Sequence, residues 1–170
     1  MVHNHIKNSQ GKTRCQVVTV SDTRTEENDK SGRLMIDMLE KNGHVVQVYE
    51  IVKDEYALIS SAIQEGIQSD EIEVVLLNGG TGIAKRDVTI EVVKPFLEKE
   101  MVGFGELFRF LSYTEDIGPA AILSRAIAGV AHNKVIFSVP GSTGAVRLAM
   151  DKLIVPELGH LIWELNKDKK

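Results

Sequence analysis

Three short stretches of small and polar residues carry the chemistry this chain could do: Ser21-Asp22-Thr23, Asn78-Gly79-Gly80-Thr81-Gly82 and Pro140-Gly141-Ser142-Thr143. Consecutive glycines lack Cβ atoms, so their N–H groups lie open and their dihedrals reach regions closed to other residues. A phosphate or a polar ring can then rest against Gly79, Gly80, Thr81 and Gly82. A tight strand-to-helix turn with no ligand uses the same residues, and a short glycine motif does not separate the two readings. The segment that follows shifts the balance. Lys85-Arg86-Asp87-Val88-Thr89 sets cations, a carboxylate and a hydroxyl beside the glycines. Arg86 offers a planar fork for phosphate. Asp87 could hold Mg²⁺ or accept a proton, or it could N-cap the helix after it; spacing alone favours the cap. Pro140-Gly141-Ser142-Thr143 precedes a helix, a position where free N–H groups and the positive dipole end favour an anion. Arg147 adds charge one turn further on.

Other chemistries lack their residues. No Gly-x-x-x-x-Gly-Lys-Ser/Thr loop is present, the glycines do not follow dinucleotide spacing, and no Gly-x-Ser-x-Gly elbow occurs. The chain has 170 residues, a formal charge of −4 and a pI near 5.7, which argues against nucleic acid and leaves small anions open. Its 43% hydrophobic and 26% charged residues suit a globular chain able to bury a core. The single cysteine, Cys15, sits in an apolar run and reads as a small core thiol rather than a nucleophile. His3 and His5 have metal-like spacing but no folded frame, so they read as solvated side chains. No apolar run approaches the ~18 residues of a membrane span, and the polar N-terminus does not resemble a signal peptide. The expectation is a soluble cytoplasmic protein without membrane or nucleic-acid partners.

The elements that must position these loops alternate. Cys15–Val20, His44–Val52, Val74–Leu77 and Val135–Val139 read as strands, with a minor strand at Ile127–Val130. Helices are expected from Lys30 to Asn42, after an Asp54 N-cap, from Thr89 to Lys99, over Gly103–Leu111 and over Ala121–Ala126. A last helix should run from Thr143 to Asn166, interrupted by Pro156 near Leu153–Val155. This pattern predicts an α/β fold, a three-layer sandwich around a mostly parallel sheet. Residues 1–12 form an expected flexible arm, 13–166 one domain and 167–170 a charged tail. In an open parallel sheet ligands bind beyond the carboxyl ends of the strands, so the three polar loops should share one edge.

Taken in order, these motifs resemble the MoaB/MogA family of molybdenum-cofactor biosynthesis proteins. The likeness spans about Arg14 to Trp163 and rests on Val20-Ser21-Asp22-Thr23-Arg24, Asp29-Lys30-Ser31-Gly32 and Val52-Lys53-Asp54-Glu55. It continues through the glycine loop with Arg86-Asp87-Val88-Thr89, then Gly103-Phe104-Gly105-Glu106 with Phe108-Arg109, Ile122-Leu123-Ser124-Arg125 and Val139-Pro140-Gly141-Ser142. The run Gly-Glu-Leu-Phe-Arg-Phe-Leu-Ser resembles the MoaB branch more than the MogA branch. Asn78 stands where many relatives carry Thr.

The resemblance implies a molybdopterin-binding fold that assembles as a trimer, or as a hexamer of two trimers. It implies adenylylation of molybdopterin by Mg-ATP before metal insertion. Asp54 and Asp87 match the family's two acidic positions and are assigned to Mg²⁺ and phosphate positioning. Gly79, Gly80, Thr81 and Gly82 would cradle the phosphorylated ligand, with Arg86 and the Pro140-Gly141-Ser142 loop as further contacts. Ser21, Asp22, Glu106, Ser124 and Arg125 are expected to line the pocket; for Glu106 and Arg109 a structural ion pair is the alternative. Two further readings stay open at this stage: a carrier that binds molybdopterin without turnover, and an oligomeric scaffold for other proteins of the pathway.

Overall fold

A computed structural model of the chain describes residues 11–169. His3, His5 and most of the expected N-terminal arm lie outside the described residues. A six-stranded sheet runs in the order β2-β1-β3-β6-β5-β4. Its strands are β1 (Arg14–Val20), β2 (Val45–Val52), β3 (Val74–Asn78), β4 (Lys99–Glu100), β5 (Ile127–Ala131) and β6 (Lys134–Val139). The first four positions, β2, β1, β3 and β6, are mutually parallel. The expected parallel sheet therefore holds for those four, while β5 and β4 close the far edge antiparallel. His132 and Asn133, at φ +48° and +60°, make the tight turn that reverses β5 into β6.

The parallel strands are apolar without alternation because helices cover both faces. In β3, Val74 and Leu76 face one core, and Val75 and Leu77 the other. The first core is roofed by α1 (Lys30–Lys41), α4 (Val102–Glu115), α5 (Thr143–Ala149) and α6 (Val155–Asn166), through Met35, Leu39, Phe108, Val146 and Leu158. The second is roofed by α2 (Tyr56–Gln68) and the short α3 (Thr89–Val93), through Ile59, Ile63, Val92 and Val93. Cys15 is fully buried in the first core, where burial pushes its thiol up to about 12. It is a core side chain, not a nucleophile.

Several boundaries differ from expectation, each for a local reason. Neither Asp54 nor Asp87 caps a helix. Glu55 is the N-cap residue of α2, Val88 that of α3, and neither side chain bonds the helix. The helix from Thr89 stops at Val93, because Pro95 shifts Lys94–Phe96 into a 3₁₀ turn and Lys99–Glu100 joins the sheet. The helix from Val102 is longer than expected, ending at Glu115. Gly118–Leu123 is a 3₁₀ segment rather than a helix over Ala121–Ala126. At Pro156 the interruption takes a definite form, a π turn over Met150–Ile154 between α5 and α6. Proline has no N–H to return to the preceding turn, so the ladder slips by one residue there.

Candidate functional site

At the carboxyl ends of the parallel strands the three polar loops meet around a cavity of about 470 Å³. The β1 loop is set by Ser21, whose N–H donates to Val52 O (2.9 Å) and whose Oγ accepts from the Thr23 and Arg24 amides (3.2 Å each). Asp22 Oδ1 accepts from the Asp54 N–H at 3.0 Å, tying the β1 and β2 ends together. Gly79 donates to Val139 O at 3.0 Å, which locks the glycine loop to β6.

Two glycines are required by contact. Gly79 has φ +100°, and a Cβ there would stand 2.2 Å from the Val20 carbonyl oxygen. Gly80 has φ +64°, and its Cβ would meet Thr89 Oγ1 at 2.2 Å and Asp54 Oδ1 at 2.9 Å. Those two oxygens are buried and have no hydrogen-bond partner among the described residues. Burial raises the Asp54 carboxyl above its ordinary range, the charges of Asp87 and Asp22 add to that, and the Val88 amide and Arg86 oppose it. Asp87 lies across the loop, its Oδ2 accepting from the Ala84 N–H at 3.0 Å. Buried carboxylate oxygen without a donor is the unusual feature, since such groups are nearly always satisfied.

Most of the expected residues converge. Ser21, Asp22, Asp54, the glycine loop, Arg86, Asp87, Ser124, Pro140 and Gly141 all line the cavity. Three expected residues do not. Arg125 stands behind the glycine loop, donating to Thr81 O (2.9 Å), Gly82 O (2.7 Å) and Asp87 O (3.3 Å) and pairing with Glu91, so it braces the loop. Ser142 caps α5, its Oγ accepting from the Ala145 N–H at 3.2 Å. Glu106 is exposed on α4 away from the cavity, and no Glu106–Arg109 ion pair is found among the described residues. The sequence reading missed Arg24 and the apolar wall formed by Ile117, Ala120 and Leu123. Arg24 carried a legible signal, a cation in a polar loop at the ligand edge. The wall comes from a 3₁₀ segment far away in the chain and had none.

Comparisons with known proteins converge on one kind. A family model described as a probable molybdopterin binding domain matches residues 16–160. Molybdenum cofactor biosynthesis protein B of Bacillus cereus is 58% identical over 166 residues, covering 98% of each chain. A crystal structure of a molybdenum cofactor biosynthesis protein B superposes with a TM-score of 0.92 at 59% identity, over 94% of this chain and 99% of that one. The tungsten cofactor synthesizing protein MoaB from Pyrococcus furiosus gives a TM-score of 0.82 at 40% identity, over 91% and 97% of the two chains.

Proposed function

The chain belongs to the MoaB/MogA molybdopterin-binding family of molybdenum-cofactor biosynthesis, and from that premise we propose that its cavity binds molybdopterin and adenylylates it with Mg-ATP. The observation that supports this reading is the Asp54 carboxylate: half-buried, with Oδ1 itself buried and unpartnered among the described residues, raised in pKa and set beside Asp87 under a glycine loop. A buried carboxylate oxygen left without a donor is destabilising by itself, and a cation brought in with a phosphorylated substrate relieves it.

In the proposed reaction an oxygen of the molybdopterin phosphate attacks the α-phosphorus of ATP. The new bond is a phosphoanhydride, the α–β bond breaks, and pyrophosphate leaves. Such a transfer requires positioning and charge neutralisation rather than a protein nucleophile. Mg²⁺ suits the donors present: Asp54 and Asp87 offer hard oxygens, and Mg²⁺ commonly takes one or two carboxylates with substrate phosphates and water. No cluster of three or more potential ligating side chains occurs among the described residues, so substrate oxygens would complete the shell. Bound Mg²⁺ supplies charge neutralisation at the phosphates. Asp54 and Asp87 orient that charge, the glycine-loop amides hold the phosphorylated ligand, and Arg125 keeps the loop in shape from behind. The test is mass spectrometry of the pterin product after incubation with ATP. Adenylylated molybdopterin formed with Mg²⁺ and absent with chelator supports the reading; unchanged molybdopterin in both sinks it and leaves a carrier.

The same reading includes a homo-oligomer, a trimer or hexamer in the cytoplasm. Phe110 on α4 and Ile122 on the 3₁₀ segment are 63% and 85% exposed and frame an apolar groove with Tyr113 and Pro119. Large apolar side chains grouped on a surface mark an interface more often than a free face.

A further inference from the structure

The two sides of the cavity differ in charge. Asp54, Asp87 and Thr89 lie on the face of the sheet that α2 and α3 cover. Arg24 lies on the other face, beside α1. Its Nη2 donates to the Gly141 carbonyl at 2.7 Å, and its Nη1 reaches Asp29 Oδ1 and Asn78 Oδ1, each at 3.5 Å. Arg24 thus spans the ends of β1, β3 and β6, with Gly79 and Gly141 packed between: a Cβ on Gly141 would be 2.9 Å from Gly79 Cα and 3.6 Å from Arg24 Nη1.

Asp29 is the anchor of this cation. Its side chain is fully buried, while that of Arg24 is 29% exposed at the cavity wall. The Asp29 carboxylate also accepts from the Gly32 N–H (3.0 Å) and the Tyr49 hydroxyl (2.7 Å), so its own place is fixed from α1 and β2. Ser31 Oγ donates to the same Gly141 carbonyl at 2.5 Å. The negative partner is withdrawn beneath the wall, and the Arg24 side chain is partly exposed at it. Arg24 lines the cavity, and among the described residues its Nε has no acceptor.

The other cations are placed differently. Arg125 spends its donors on backbone carbonyls and Glu91, outside the lining. Arg86 lines the mouth on an exposed turn, with no side-chain hydrogen bond to hold it among the described residues. A planar guanidinium already fixed in orientation loses little entropy when it takes a phosphate oxygen.

We infer that Arg24 binds a ligand phosphate on the α1 side of the cavity, opposite the carboxylates, and that Asp29 is the positioning residue that aims it. The inference rests on the reading that the cavity takes a phosphorylated ligand. It deepens that reading by assigning opposite walls to separate tasks. The phosphate is a monoester or anhydride group, whether of the pterin or of the nucleotide.

The test is titration calorimetry of the full chain without divalent metal. The ligands are ATP, adenosine, molybdopterin and phosphatase-treated molybdopterin; the proteins are wild type, Arg24→Gln, Arg24→Lys and Asp29→Asn. Arg24→Gln should weaken one phosphorylated ligand by about 10- to 100-fold, the range of a charge-assisted phosphate contact. Its phosphate-free counterpart should bind as in wild type. Whether ATP or molybdopterin is affected identifies the source. Arg24→Lys should recover part of the loss, and Asp29→Asn should weaken the same ligand alone. Equal losses for phosphorylated and phosphate-free ligands, or no loss, would overturn the inference while leaving the proposed function standing. Wild-type protein that binds neither phosphorylated ligand would overturn both.

Discussion

At the scale of single residues, the account turns on Asp54. Its raised pKa means that the folded chain holds this proton more tightly than the unfolded chain does. Ionising it therefore opposes folding: the penalty is absent below the ordinary carboxyl value of 3.8 and grows as pH rises to the folded-state value. Asp54→Asn should accordingly raise Tm at pH 7. The gain should shrink as the pH falls toward 4, and the variant should lose Mg²⁺-dependent turnover. Calorimetric melts across pH check this; an equal Tm gap at every pH would count against a titrating origin. Residue chemistry was only partly legible beforehand. The spacing favoured Asp87 as a helix cap and made Asp54 one as well, yet Asp87 closes the Ala84 turn and Asp54 points under Gly80. Capping and ligand positions share the same residue types, and only the backbone path separates them.

At the scale of elements, the glycine loop works because β3 runs straight into a turn that presses on the end of β1. Gly79→Ala would force a side chain onto the Val20 carbonyl and hold Ala at positive φ, a combined strain of about 2 kcal/mol or more. A Tm lowered by roughly 4–8 °C is expected from thermal melts, together with loss of ligand binding. Retained stability would mean that the loop relaxes without consequence. The four parallel strands were legible because burial on both faces leaves continuous apolar runs such as Val74–Leu77. The two-residue β4 was not, because so short an edge strand carries no period of its own. Pro156 announced a break in the last helix; the π turn that resolves it depends on how α5 and α6 both stay docked on the sheet.

At the scale of the whole molecule, the fold gathers loops from β1, β2, β3 and β6 at one edge and closes the cavity with the 3₁₀ segment. That the polar loops share an edge followed from parallel strands alone. The wall of Ile117 and Leu123, and the reach of Arg24 to Gly141, join residues far apart in the chain, and no local pattern encodes such contacts. Sorting α4 also required packing: Phe108 is fully buried and Phe110 largely exposed, two residues apart in one helix. The exposed set leads to a prediction about assembly. Phe110→Asp with Ile122→Asp should turn an oligomer into monomers by light scattering while leaving the circular dichroism spectrum intact. An unchanged mass would place the interface elsewhere.

The most direct test of the central claim is pyrophosphate release from Mg-ATP with freshly prepared molybdopterin, comparing wild type with Asp87→Asn. The account predicts release that requires the pterin and falls by at least about 100-fold in the variant, the scale of losing a residue that stabilises charge in the transition state. No pterin-dependent release from wild type, with molybdopterin bound tightly by both proteins, would contradict it and identify the chain as a carrier.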